Sequence, residues 1–254
     1  MQQIEFDKGS FICNKACSPK GFYRCFMSDF SDLPQAEGNI SEVCLCVFVV
    51  DVSGSMNGEP IRQLNSGLQQ FHTDIDNDDN TSAKLEVALV EFGSGVNVLQ
   101  EPAFVYDFKM PTLTVHGTTP LVDGVREAIN IVASRKSAWK NSGTPYLRPW
   151  IVLITDGAPD SDQDVDGLAA QIKAAGQNKD FMFMSIGVQG ANMEMLKKIS
   201  MTDYPPLALQ GLKFSEFFKW LSASMGKIAN SNGGSITMDP VAAWAQASFN
   251  PNQP

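Results

Sequence analysis

The sequence predicts an α/β fold, a mostly parallel sheet with helices on both of its faces. Two continuous apolar runs rich in β-formers, Val43–Val50 and Trp150–Thr155, read as strands buried on both sides. Segments with apolar residues at helical spacing lie between such runs. Strands that alternate with helices pair in parallel, because each helix carries the chain back to the same end of the sheet. A chain of 254 residues fits one such domain with additions.

The first strand is Val43–Val50. Glu59–Ile75 follows as a helix, with Ile61, Leu64, Leu68, Phe71 and Ile75 on one stripe and Pro60 suited to the first turn. Leu85–Phe92 is a second strand and Phe104–Phe108 a third. Leu121–Ala133 is an amphipathic helix, with Leu121, Val125, Ile129 and Val132 aligned. Trp150–Thr155 is the next strand, then a helix at Val165–Ala175 and a strand at Phe181–Val188. A short helix, Met193–Ile199, a short strand, Leu207–Leu209, and a helix, Phe214–Ile228, close the series. Residues 1–42 do not share the pattern and read as an N-terminal extension, a hairpin or irregular, packed on the domain. The domain proper is 43–230, and the Gly-, Asn-, Ser- and Pro-rich stretch 231–254 reads as a loose tail.

Composition narrows the function. With 43% hydrophobic and 19% charged residues the chain is neither disordered, collagenous nor a coiled coil. A net charge of −9 argues against binding DNA or RNA. Two histidines, His72 and His116, exclude a His-rich metal site. His116 is read as a polar loop residue rather than a base, since nothing pairs it with a nucleophile. The N-terminus lacks the basic-then-apolar order of a secretory leader, and the longest apolar run is too short to span a bilayer. The expectation is a cytoplasmic protein with no membrane partner. Cys44 and Cys46 fall on one face of a strand, about 6.5–7 Å apart, too far for a ready disulfide, and read as core residues. Cys13, Cys17 and Cys25 lack a fourth ligand for structural zinc.

The chemistry gathers at strand ends, where ligands bind in sheets of this kind. Asp51-Val-Ser53-Gly-Ser55 follows the first strand, Asp156-Gly157 follows the strand ending at Thr155, and Gly117-Thr118-Thr119-Pro120 precedes the Leu121 helix. Alone, the first segment has the composition of a turn. Together the three place hard oxygen ligands on one sheet edge, which suits Mg2+ or Mn2+. Two acidic runs compete. Asp162–Gly167 begins like a calcium loop, but its twelfth position is Lys173; Asp74–Asp79 fails likewise at Leu85. The first run reads instead as acidic residues at a helix N-terminus. A phosphoryl-transfer nucleophile at Asp51 wants a second Asp two residues on, where Ser53 stands, and no P-loop or G-x-G-x-x-G is present.

Phe48-Val-Val-Asp51-Val-Ser53-Gly-Ser55-Met56, Gly117-Thr118-Thr119-Pro120-Leu121 and Leu153-Ile-Thr-Asp156-Gly157 resemble the metal-ion-dependent adhesion site of a von Willebrand factor A (VWA) domain. The resemblance runs from about Val43 to Ile228 and implies a doubly wound sheet with the ion at its top. It implies Ser53 and Ser55 as direct ligands, Asp51 and Asp156 as direct or water-mediated ones, and Thr119 as the loop threonine. Thr118 stands where the family's triplet has a second glycine. A narrower similarity, carried by Gly54–Ile61, Asn65–Leu68, Arg148-Pro-Trp and Phe217–Ser224, is to VWA proteins of the tellurium-resistance TerY type. That similarity implies a cytoplasmic, non-catalytic protein-binding scaffold in a stress-response system, alongside tellurium-resistance proteins or an associated kinase and phosphatase. The expected partner offers an Asp or Glu to the ion. Rival readings are an adaptor of an AAA+ ATPase, a metal-dependent phosphatase or hydrolase, and an extracellular adhesin.

Overall fold

The computed structural model describes residues 42–231, 238–241 and 244–247, so the N-terminal extension and its three cysteines lie outside the described residues apart from Glu42. In chain order the elements are β1 (Cys44–Asp51), α1 (Glu59–Asp76), α2 (Asp79–Ser82), β2 (Leu85–Gly93), β3 (Gly95–Phe104), α3 (Leu121–Ser142) and β4 (Trp150–Thr155). They continue as α4 (Val165–Gln177), β5 (Met182–Gly187), α5 (Met193–Ile199), β6 (Leu207–Leu209), α6 (Phe214–Ala229) and β7 (Ala245–Ala247).

Among the described residues seven strands form one sheet in the order β3-β2-β1-β4-β5-β6-β7. The four inner pairings are parallel, and both edge strands, β3 and β7, run antiparallel to their neighbours. Every residue of β1 is buried, and its side chains alternate between two cores. Cys44, Cys46, Phe48 and Val50 pack with α1 and α6. Leu45, Val47 and Val49 pack with α3, α4 and α5. The α/β, doubly wound arrangement expected from the sequence is the one found. It positions the site directly. The chain leaves β1 toward β2 through α1 on one face and reaches β4 through α3 on the other. The loops after β1 and β4 therefore diverge from adjacent strands and leave a crevice between them.

Phe48 and Phe71 meet edge to face at 5.1 Å, and Phe218 of α6 tilts against both, at 5.9 and 6.3 Å. On β2 the buried Glu86 receives two hydrogen bonds from Arg135 of α3, at 2.6 and 2.5 Å. A carboxylate this deep needs such a partner. Cys44 and Cys46 are buried free thiols, and burial pushes Cys44 up to about 12, far from reactive thiolate chemistry.

Three expectations are corrected. The third strand is Gly95–Phe104, not Phe104–Phe108, where a 3-10 turn (Val105–Asp107) stands instead. An edge strand is half exposed, so it shows no apolar run, and it tolerates Pro102 where an inner strand would lose a ladder bond. Helix α3 extends nine residues beyond Ala133, because Trp139 is buried and stacked on Tyr146 at 5.1 Å. The stretch after 230 is not wholly loose: Trp244 is buried against Phe217 and Trp220, and β7 pairs with β6. Among the described residues, no helix is long and apolar enough to cross a membrane.

Candidate functional site

Asp51 is the last residue of β1 and fully buried. Beyond it the chain is held from below: Val52 N–H donates to Phe92 O at 3.0 Å, and Val52 O accepts from His116 N–H at 2.7 Å. Met56, also fully buried, closes the 3-10 turn Gly54–Met56 with its N–H on Ser53 O at 3.0 Å. Between the two apolar anchors Ser53 is buried and Ser55 is exposed at the rim of the crevice.

Ser53 N–H donates to Asp51 Oδ1 at 2.8 Å, and Thr155 Oγ1 donates to Asp51 Oδ2 at 2.6 Å. Ser53 Oγ and Ser55 Oγ are hydrogen-bonded at 3.0 Å, and Ser55 Oγ donates to Asp156 Oδ1 at 2.7 Å. A chain of oxygens thus runs from one loop to the other across the crevice. Thr119 reaches the same place. At Gly157 the point where a Cβ would sit lies 3.6 Å from Thr119 Oγ1 and 3.6 Å from Asp51 Oδ2. Glycine keeps that space open. All five residues expected from the sequence, Asp51, Ser53, Ser55, Thr119 and Asp156, therefore converge.

Two carboxylates meet at this crevice. Burial pushes Asp51 above the usual carboxylate range, the Ser53 and Thr155 hydrogen bonds pull it back, and nearby Asp156 pushes it up again. No Lys, Arg or His is ion-paired with Asp51 or Asp156 among the described residues. No cluster of three or more His, Cys, Asp or Glu forms a ligand set there either. The donors are two carboxylates and three hydroxyls, a set that fits a hard oxygen-seeking ion and not zinc.

The surrounding residues have structural roles. His116 Nδ1 accepts from Ser94 N–H at 3.1 Å, so the ring proton sits on Nε2, 3.3 Å from Glu91 Oε1. That ring fastens the Thr119 loop to the β2–β3 hairpin, helped by Thr118 N–H on Gly93 O at 3.1 Å. Both acidic runs supply helix caps, and for Asp162–Gly167 that was the expectation. Asp164 caps α4 through Gly167 N–H at 2.9 Å and pairs with Arg126 at 2.7 Å, while Asp78 caps α2 through Asn80 and Thr81.

Sequence reasoning missed two residues. Thr155 carried a signal, being the one hydroxyl on an otherwise apolar buried strand. Asp160 carried none: its partners, Thr118 and Thr119, are 42 and 41 positions away.

Residues 46–209 match the family model described as von Willebrand factor type A domain. Among solved structures the chain is similar to the pilus adhesin SpaC from Lactobacillus rhamnosus GG, at 15% identity over 75% of this chain and 30% of that one, with a TM-score of 0.59. It is also similar to the PilB minor pilin from Streptococcus sanguinis (14% identity, 77% and 64% covered, TM-score 0.57). A third is the ArnB paralog VWA2 from Sulfolobus acidocaldarius (16%, 71% and 44%, TM-score 0.50). The chain thus spans between about a third and two thirds of these proteins' length, and at such identity the likeness is one of fold. No curated protein matches. With the match covering well over half of its length, the chain belongs to the von Willebrand factor type A domain family.

Proposed function

We propose that this VWA domain is a cation-dependent protein-binding module. Asp51, Ser53, Ser55, Thr119 and Asp156 would hold Mg2+ or Mn2+, and the exposed side of the ion would take an Asp or Glu from a protein partner. A dication there would supply the positive charge that two converging carboxylates lack. The observation that carries the reading is the oxygen chain Ser53–Ser55–Asp156, at 3.0 and 2.7 Å, beside a buried Asp51 with no cationic partner among the described residues. The reading includes no catalysis: His116, beside the Thr119 loop, is engaged by Ser94 and Glu91. The TerY-like segments support a cytoplasmic tellurium-resistance or stress-response setting, with tellurium-resistance proteins or an associated kinase or phosphatase as partners.

Calorimetric and thermal-shift titration of Mg2+ and Mn2+ into wild type and Asp51→Ala tests the site. Ion at 100 times its Kd should stabilise the wild type by about 2.7 kcal/mol through mass action, and Asp51→Ala should not respond. Equal responses in both proteins would sink the reading. A pull-down with and without EDTA, read by mass spectrometry, identifies partners that need the ion.

A further inference from the structure

We infer that Asp160 is a positioning residue for the Thr119 hydroxyl, with Thr118 as its second anchor; this rests on the ion-binding reading above. The geometry is a reciprocal clamp. The Asp160 carboxylate accepts from Thr119 N–H, at 3.2 Å to Oδ1 and 3.1 Å to Oδ2. The Asp160 N–H donates back to Thr119 O at 3.0 Å. The peptide groups on both sides of the Thr119 Cα are therefore held by one residue of the β4–α4 loop. Fixing both fixes φ and ψ of Thr119, and with them the direction of its Cα–Cβ bond. That direction brings the Thr119 side chain to the space that Gly157 leaves open beside Asp51, with Oγ1 and Cγ2 each 3.6 Å from the point where a Gly157 Cβ would sit. Thr118 Oγ1 donates to Asp160 Oδ2 at 2.8 Å and steadies the carboxylate; a glycine at 118 has no hydroxyl to give.

Both Asp160 oxygens are thus engaged on the Thr118–Thr119 segment, so Asp160 acts through Thr119 rather than as a ligand. The clamp is separable from folding, because the β4–α4 loop is tied a second time, to the first turn of α3. Gln163 Oε1 accepts from Val122 N–H at 2.8 Å and Asp123 N–H at 3.2 Å, and Gln163 Nε2 donates to Asp123 Oδ2 at 2.8 Å.

The test compares wild type, Asp51→Ala, Asp160→Ala, Asp160→Asn and Thr118→Val. Mg2+ and Mn2+ affinity is measured by calorimetry. Urea stability and amide exchange at Thr119 are measured in EDTA. Loss of a residue that orients a metal ligand lowers affinity by about 10- to 100-fold, and that loss is expected in Asp160→Ala. Asp160→Asn should recover part of it, because its amide oxygen still accepts from Thr119 N–H. Thr118→Val should fall between wild type and Asp160→Ala. In EDTA, the Thr119 amide should lose protection in Asp160→Ala while the urea midpoint stays near wild type. Unchanged affinity in Asp160→Ala, with binding lost in Asp51→Ala, overturns the clamp and keeps the ion site. Asp160→Asn as weak as Asp160→Ala overturns it too, since charge and not position would then be at work. Wild-type affinity in Asp51→Ala overturns the ion site and the clamp with it. If Asp160→Ala does not fold, Asp160→Asn and Thr118→Val decide.

Discussion

Thr155 shows how much one hydroxyl arranges. Its Oγ1 donates to Asp51 and accepts from Gly157 N–H at 3.1 Å, so it ties the buried carboxylate to the turn that keeps the crevice open. Gly117 matters for a different reason. Its φ of +77° is left-handed, and a Cβ there would lie 2.2 Å from Ser94 N and 2.4 Å from Gly93 C. Both are backbone atoms, which cannot swing aside. Gly117→Ala is therefore expected to cost about 1–3 kcal/mol, read from the urea midpoint. It should also weaken the Mg2+ binding proposed above, because the Thr119 loop begins at that residue. A substitution that leaves both measurements unchanged would show that the hairpin gives way. At this scale the motif residues were legible. Asp51, Ser53, Ser55 and Asp156 sit in two short stretches whose spacing marks them, and Thr119 was reached through the family resemblance. Asp160 was not legible, because a hydrogen bond between residues 41 apart has no periodicity to read.

The elements follow from simple patterns, and their ends follow from local caps. Helix α2 has only four residues, and Asp78 holds its start. The side chain accepts from Asn80 and Thr81 N–H, both at 3.2 Å, and from Thr81 Oγ1 at 2.6 Å. The Thr81 hydroxyl, foremost, holds Asp78 below its ordinary value of 3.8. A carboxyl depressed in the native state stabilises the fold above its unfolded value. That contribution disappears as pH falls through the lower native value. Asp78→Ala is expected to cost about 1 kcal/mol at pH 7, kept modest by exposure. The gap in urea midpoint between variant and wild type should then narrow as pH falls below 3.8. A gap independent of pH would place the effect outside the carboxylate. The half-exposed edge strand β3 and the far end of α3 escaped the sequence patterns. Their stability comes from neighbours, β2 for one and Tyr146 for the other, not from their own periodicity.

For the whole molecule, the sheet order decides what the loops can do. Because β1 lies between β2 and β4, the oxygens after β1 and β4 face one another across a crevice. The far edge serves stability instead. Trp244 is buried with Phe217 at 5.0 Å and Trp220 at 5.3 Å, and Gln210 ties the strand through Trp244 O and Ala245 O. Trp244→Ala should lose about 3–5 kcal/mol by urea denaturation. Cation affinity of the folded variant should stay unchanged, since β7 is four strands from β1. A shift in that affinity would mean that the two sheet edges are coupled.

The sequence by itself determined the fold class, the parallel core and which residues stand at the ends of β1 and β4. Apolar runs, helical spacing and short motifs are local, and local order survives in a linear text. Only the tertiary structure decided that the stretch around Trp244 completes the sheet, that β3 is a hairpin edge, and that Asp160 grips the Thr119 peptide. Each of those rests on a partner distant in the chain, and such partners come together only when the sheet and its helices pack.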